Sequence, residues 1–280
     1  MSRNPYHAEG QEPTLRQSVF AMLDILGYSE IVKTADRSGT SQERLRSLHR
    51  ALIRGRDWLE DKDASSSFIA DLSKKDLFAL KAFTDNVVVG WPVHEDAEVE
   101  LGHAFFKLGA FQFQLTLDGY FIRGAISIGD AYVDEYAVFG SALMEAHDGE
   151  AKLARDPRII LSPSAVAACK KHLTYYGNAR QAPQVRDVLR DSDGQWFVNY
   201  LECVLWAESE QGPFFEELEK HKQAVESKLR EHQANPPIWS KYAWVASYHN
   251  YFCDLHRRHF TQEHKVHVDL FRAAPALIVD

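Results

Sequence analysis

The spacing of apolar positions along this chain changes several times, and each change marks an element. Ser18 to Asp24 is an apolar, β-compatible run that gives out at Gly27, which predicts a first strand, a tight turn and then a helix. Thr40-Ser41-Gln42-Glu43 has the form of a capping box. Leu45, Leu48, Leu52 and Leu59 then recur near the helical period, predicting a long amphipathic helix to about Asp61. Asp61 to Ser67 reads as a polar linker. Leu77 to Phe83 and Val87 to Trp91 are short β-rich runs separated by Thr84-Asp85-Asn86, a hairpin spacing with turn residues that puts Asp85 at the tip. Glu98 to Leu117 predicts a helix whose inner face carries Leu101, Ala104, Phe105, Leu108, Phe111 and Leu115.

Further on, Phe121 to Ile128 alternates as a strand, Ala131 to Phe139 as its hairpin partner, Ser141 to Leu153 as a helix and Arg158 to Leu161 as a short strand. Beyond Thr174 the pattern loosens to one strand (Gln195 to Leu205) and two helical stretches, Phe214 to Gln233 and Ile238 to Phe260, parted by Asn235-Pro236-Pro237. The order predicts an α+β fold: a largely antiparallel sheet with helices packed on it, in a ferredoxin-like or palm-like arrangement. Residues 14–205 are read as one domain and residues 206–280 as a C-terminal helical extension. Trp239, Tyr242, Trp244, Tyr248 and Tyr251 suit that extension to packing on the core or across a dimer.

With 45% apolar and 26% charged residues in 280, the composition is that of a globular chain. No run approaches the ~18 apolar residues of a membrane span, and Met1 to Pro13 is polar, so a cytoplasmic protein without a membrane association is expected. A formal net charge of −8 and the lack of a basic stripe argue against a nucleic-acid partner. Cys169, Cys203 and Cys253 are dispersed and odd in number, which predicts buried thiols. The two HxxH pairs, His256/His259 and His264/His267, have Arg257 and Arg258 between them and no companion cysteine, and do not define a zinc site.

The candidate chemistry lies where apolar strands run out. Asp24 and Asp85, at neighbouring strand ends beside a glycine turn, are suited to holding divalent metals against a nucleoside triphosphate. The backbone from Ile25 through Gly27 and Tyr28 to Ser29 can add a carbonyl to a metal and amide donors to phosphate, Gly27 permitting close approach. Arg123 is a cation in an apolar strand; either a phosphate oxygen partners it or it faces solvent. Lys81 precedes Asp85 by four residues, a span of roughly 13 Å at the ~3.3 Å rise of a strand, and can donate to a base edge in its own subunit or a symmetry mate.

These residues carry a resemblance. Leu23-Asp24-Ile25-Leu26-Gly27-Tyr28, Lys81 with Asp85, Arg123-Gly124-Ala125-Ile126-Ser127-Ile128-Gly129 and Val138-Phe139-Gly140-Ser141-Ala142-Leu143-Met144-Glu145-Ala146 resemble, in order, the motifs of class III nucleotidyl cyclases over about residues 18–165. The resemblance implies a ferredoxin-like core, a head-to-tail homodimer with active sites at the interface, and two Mn or Mg ions. It implies conversion of a nucleoside triphosphate into a 3′,5′-cyclic monophosphate and pyrophosphate. By it, Asp24, Asp85 and the Ile25 carbonyl are metal ligands and Arg123 a phosphate contact; Lys81, Phe83 and Ala137 line the base side.

The chain also departs from that pattern. Met144 and Asp148 stand where the family has an Asn and an Arg, and an acid cannot replace an arginine that neutralises phosphoryl charge. Ala137, at the usual purine-reading position, has no hydrogen-bonding side chain. Gly140 to Ala146, Glu150-Ala151, Ala154 to Ser162 and Lys241 to Asn250 are similar to the bacterial pyrimidine cyclases of the Pycsar antiphage systems, whose cyclic product activates a downstream effector. That likeness favours UTP as substrate and cyclic UMP as product. Cytidylate cyclase, purine cyclase and a catalytically silent nucleotide sensor are the alternatives.

Overall fold

The structure, a computed structural model, describes residues 4–7, 12–60, 78–83, 85–206 and 212–268. The first strand, β1 (Arg16–Ile25), precedes α1 (Tyr28–Arg37) and α2 (Ser41–Glu60). A hairpin of β2 (Ala79–Phe83) and β3 (Asn86–Pro92) leads to α3 (Glu98–Leu117). Then come β4 (Ile122–Val133), β5 (Val138–Phe139), α4 (Ser141–Asp148), a π-helical turn (Gly149–Leu153), β6 (Ile159–Leu161) and α5 (Pro163–Leu173). A short α6 (Gln184–Asp187), β7 (Val188–Arg190), β8 (Trp196–Val198) and a 3-10 turn (Tyr200–Leu205) lead to α7 (Phe215–Glu231) and α8 (Pro236–Leu255).

The fold is α+β. The sheet runs β2-β3-β1-β4-β6-β8-β7, with β5 paired to β4, and all its pairings are antiparallel except β4 with β6. Period-two alternation divides β1 cleanly: Val19, Ala21, Leu23 and Ile25 face the main core with α2 and α3, while Phe20 and Met22 face α4. Every residue assigned above to the inner stripe of α3 is buried, as are all three cysteines. No helix among the described residues is long and apolar enough to cross a membrane.

Several boundaries move. The two runs Phe121 to Ile128 and Ala131 to Phe139 are not hairpin partners: β4 continues through Gly129 and Asp130, which stay in register opposite Ser18 and Gln17, and only Val138–Phe139 folds back. Asp134 makes that turn, its carboxylate accepting the amides of Tyr136 at 2.8 Å and Ala137 at 2.6 Å. The helix predicted to Leu153 is α-helical only to Asp148. The strand predicted over Gln195 to Leu205 breaks after Val198, where the Asn199 side chain donates to the Arg186 carbonyl and the chain turns 3-10. The last helix starts on Pro236 and Pro237, which lack the amides that a first turn leaves unbonded, and ends at Leu255. The linker Asp61 to Ser67 lies outside the described residues.

The extension is fastened by a buried polar line. Tyr200 Oη lies 2.9 Å from His221 Nε2, His221 Nδ1 lies 2.9 Å from His249 Nδ1, and His249 Nε2 lies 2.9 Å from the His264 carbonyl. A carbonyl only accepts, so His249 is protonated on Nε2 and accepts on Nδ1. His221 therefore donates from Nδ1 and accepts the Tyr200 hydroxyl, leaving both rings neutral. Burial pushes His249 down to about 4 and holds His221 well below the ordinary histidine value, the neighbouring ring adding to the latter. The folded protein thus binds fewer protons than the unfolded chain below the ordinary histidine value. Stability is fully present above about pH 6.5 and is lost as pH falls toward 4, by up to about 3 kcal/mol from His249 alone. Melting temperature against pH should show this fall, and the slope should flatten in His221→Leu/His249→Leu.

Candidate active site

The site is built at one end of the sheet. Asp24 lies next to last in β1, in register with Asn86 on one side and Arg123 on the other. The Ile25 amide donates to the Asp85 carbonyl at 3.1 Å, and the Leu26 amide to the Phe121 carbonyl at 2.8 Å. The β2–β3 turn and the end of β1 are therefore tied together, which brings Asp85 alongside Asp24. Alternation puts Asp24 on the face of Phe20 and Met22, away from the main core. The Asp85 carboxylate accepts from the Asn86 side chain at 3.1 Å. Asp85 sits beyond the end of β2, so its separation from Lys81 is set by the turn and not by a strand rise.

Arg123 has the partners that its apolar strand demanded, and they are carboxylates of this chain. Its Nε donates to Asp24 Oδ2 at 3.1 Å, and a terminal nitrogen lies 2.8 Å from Glu150 Oε1. Glu150, only 5% exposed in the π-helical turn, makes this contact by charge without directed hydrogen-bond geometry. The guanidinium is thus clamped between two acids, with its side chain 26% exposed. Burial pushes the Asp24 carboxyl up to about 6; Arg123 opposes the rise, and Glu150 and Asp85 add to it. An acid raised in this way beside two others is short of positive charge.

That shortage is the test of whether a divalent ion fits. Asp24 and Asp85 offer hard oxygen donors, the type taken by Mg and Mn. Among the described residues no three His, Cys, Asp or Glu side chains converge on one metal position. An ion held by the two aspartates would complete its shell from backbone, water or ligand oxygen, as Mg does at triphosphate sites. The pair fits that use.

Gly27 follows with φ 74°, a left-handed conformation that strains any residue with a Cβ, and it caps α1 without a side-chain hydrogen bond. Of the amides proposed above as phosphate donors, those of Ile25 and Leu26 are already engaged. The uncapped first turn, with Tyr28 and Ser29, remains as the anion-facing element. Gly140 has the second required glycine conformation: at φ 130° an added Cβ would lie 2.1 Å from the Asp130 carbonyl, so α4 can enter close to β4 only without a side chain there.

The remaining predicted residues stand on β2, in the β4–β5 turn and on α4. Lys81, half-buried in β2, acts electrostatically on Asp134, whose acidity is set by burial raising its pKa and by the Tyr132 hydroxyl, the turn amides and Lys81 lowering it to a net depression. Phe83 closes β2 with its backbone opposite Asn86. Ala137 is exposed in the β4–β5 turn, with its amide committed to Asp134. Asp148 is an exposed residue pairing with Lys152 at 2.9 Å, and Met144 is 62% exposed. Glu150 is the site residue that pattern reading passed over; its one signal was an acid in the motif following Gly140. In comparison with known proteins, no family model matches the chain and no curated protein matches its sequence.

Proposed function

We propose that this chain is a metal-dependent pyrimidine nucleotide cyclase, converting UTP into 3′,5′-cyclic UMP and pyrophosphate, with a ferredoxin-like core and a cytoplasmic role as the source of a second messenger in antiphage defence. The observation that carries the reading is the pairing of Asp24 with Asp85 at tied strand ends beside the uncapped start of α1. In the reaction, the ribose 3′-oxygen bonds to the α-phosphorus, the bond from that phosphorus to the bridging oxygen of the β-phosphate breaks, and the hydroxyl proton is released. Two divalent ions on Asp24 and Asp85 would supply acidification of that hydroxyl and neutralisation of the triphosphate.

The protein's own residues divide the remaining work. Arg123 holds Asp24 in place, the first turn of α1 receives phosphate, and Gly27 lets the chain approach closely. Lys81 donates to the base; the uracil O4 suits it, whereas cytosine presents O2 and N3. The resemblance places the complete site between two subunits. Tyr136 at 83% and Phe139 at 66% exposure, near Met144, give the β4–β5 hairpin and α4 an apolar surface suited to a second copy.

Each of the four ribonucleoside triphosphates, incubated with Mn and the full chain, should be read by mass spectrometry with Asp24→Ala alongside. Cyclic UMP that disappears in the variant is the expected result. Cyclic CMP or a cyclic purine would reassign the base, and no cyclic product from any of them would defeat the reading.

A further inference from the structure

The sheet end that carries Asp24 is covered by the C-terminal helices, and this brings in one more cation. Strand β1 ends here, and β4 and β6 begin here. Across them lies α8, and two of its contacts bear on this end. The Tyr242 ring packs edge-on against Phe121 at 5.0 Å, two residues ahead of Arg123. Trp244 Nε1 donates to Asp191 at 2.6 Å while its ring lies 5.2 Å from the Arg158 guanidinium. The Arg158 carbonyl in turn accepts the amide of Gly124, next to Arg123. Lys241 stands one residue before the first contact and three before the second, on the face of α8 that it shares with Trp244.

The charged groups around Lys241 are Arg123, Asp156 and Asp24. Burial and the Arg123 guanidinium hold its ammonium below the ordinary lysine range, against the pull of Asp156 and Asp24. Two neighbouring cations are committed, Arg123 to Asp24 and Glu150, and Arg158 to Asp191 and Asp193, while Arg155 is exposed. Among the described residues Lys241 has no carboxylate at ion-pair distance. It is a half-buried ammonium on a flexible stem, within electrostatic reach of Asp24 and Asp156, and no hydrogen-bond acceptor among the described residues claims its donors.

We propose that Lys241 donates to a non-bridging phosphate oxygen of the triphosphate bound at Asp24 and Asp85, so that the C-terminal extension supplies in cis the phosphate cation that Asp148 does not. The inference rests on the cyclase reading. It makes α8 part of the active site and gives the extension a chemical reason to be clamped at both Phe121 and Asp191. The lysine neutralises charge passing to the departing pyrophosphate, while Arg123 stays with Asp24.

Lys241→Met and Lys241→Arg in the full chain test it, by UTP turnover with Mn, by calorimetric binding of inorganic pyrophosphate with Mn, and by thermal melting. In Lys241→Met the expected results are turnover lower by on the order of 100-fold, as for loss of one phosphate-stabilising donor, weaker pyrophosphate binding and an unchanged melting temperature. Lys241→Arg should restore both turnover and binding to within a few fold. Wild-type turnover and pyrophosphate affinity in Lys241→Met would overturn the proposal, as would equal loss in both variants accompanied by a lower melting temperature. Should the wild type cyclise no triphosphate, the cyclase reading falls separately. Pyrophosphate binding still decides the lysine: weakened in Lys241→Met it supports the contact, and unchanged it overturns it.

Discussion

Asp85→Asn is expected to reduce cyclic nucleotide formation by on the order of 1000-fold while leaving the protein folded. An amide keeps the size of the carboxylate and can keep a contact to the neighbouring Asn86 side chain, so the β2–β3 turn should survive. It removes the charge that holds a divalent ion beside Asp24. A metal contributes several kcal/mol of transition-state charge stabilisation, and each ~1.4 kcal/mol is a factor of ten in rate. The same replacement relieves repulsion on Asp24, one of the causes of its raised pKa, so metal-free melting temperature should hold or rise. Steady-state assays with saturating Mn, paired with melting curves, check both statements. A variant with normal turnover would remove Asp85 from the metal site.

Arg158→Ala is expected to destabilise the fold by about 3–5 kcal/mol, the usual cost of breaking a buried ion cluster from one side. The Arg158 side chain is fully buried at the start of β6 and carries Asp191 and Asp193, with Asp156 at 4.0 Å. Without it these acids face one another under the Trp244 ring, and the clamp joining α8 to the sheet is lost. For a chain of this length the melting temperature should fall by roughly 10 °C. The urea midpoint should fall as well, and adding Asp191→Asn/Asp193→Asn to Arg158→Ala should recover part of the loss. Full stability in Arg158→Ala would show that the cluster contributes little.

Short-range signals were the most legible in the sequence. The α3 stripe recurs at helical spacing from Leu101 to Leu115 and all of it is buried. Asp85 beside its strand end follows from turn residues between two β-rich runs. Where the reading slipped, a longer-range interaction decided. Gly129-Asp130 looks like a turn in isolation, but the ladder to Ser18 and Gln17 carries β4 straight through it. The segment Gln195 to Leu205 alternates like a strand, but an Asn199 bond to the Arg186 carbonyl diverts it. Helix α5 has little signal in the sequence, its small residues giving only a weak period on which Ala165 and Cys169 are nonetheless buried.

The same division holds within the site. Asp24, Gly27 and Asp85 were visible because strand ends and turns are local. The need of Arg123 for a partner was legible, while the identity of that partner was not, since Glu150 reaches it from a π-helical turn and Asp24 from a separate strand. Lys241 was further still from view: long-range packing, Tyr242 on Phe121 and Trp244 on Arg158, brings its helix to this end of the sheet.

If Asp24 and Asp85 form a metal–triphosphate site, metal stoichiometry in a complex that cannot react will show it. With 3′-deoxy-UTP, which lacks the attacking hydroxyl, Mn titrated into the wild-type protein and into Asp24→Ala should be followed by calorimetry or by the paramagnetic signal of free Mn. Two ions per site are expected in the wild type, with loss of at least one in the variant. Equal Mn binding by both proteins, or none by the wild type in the presence of the nucleotide, would contradict such a site.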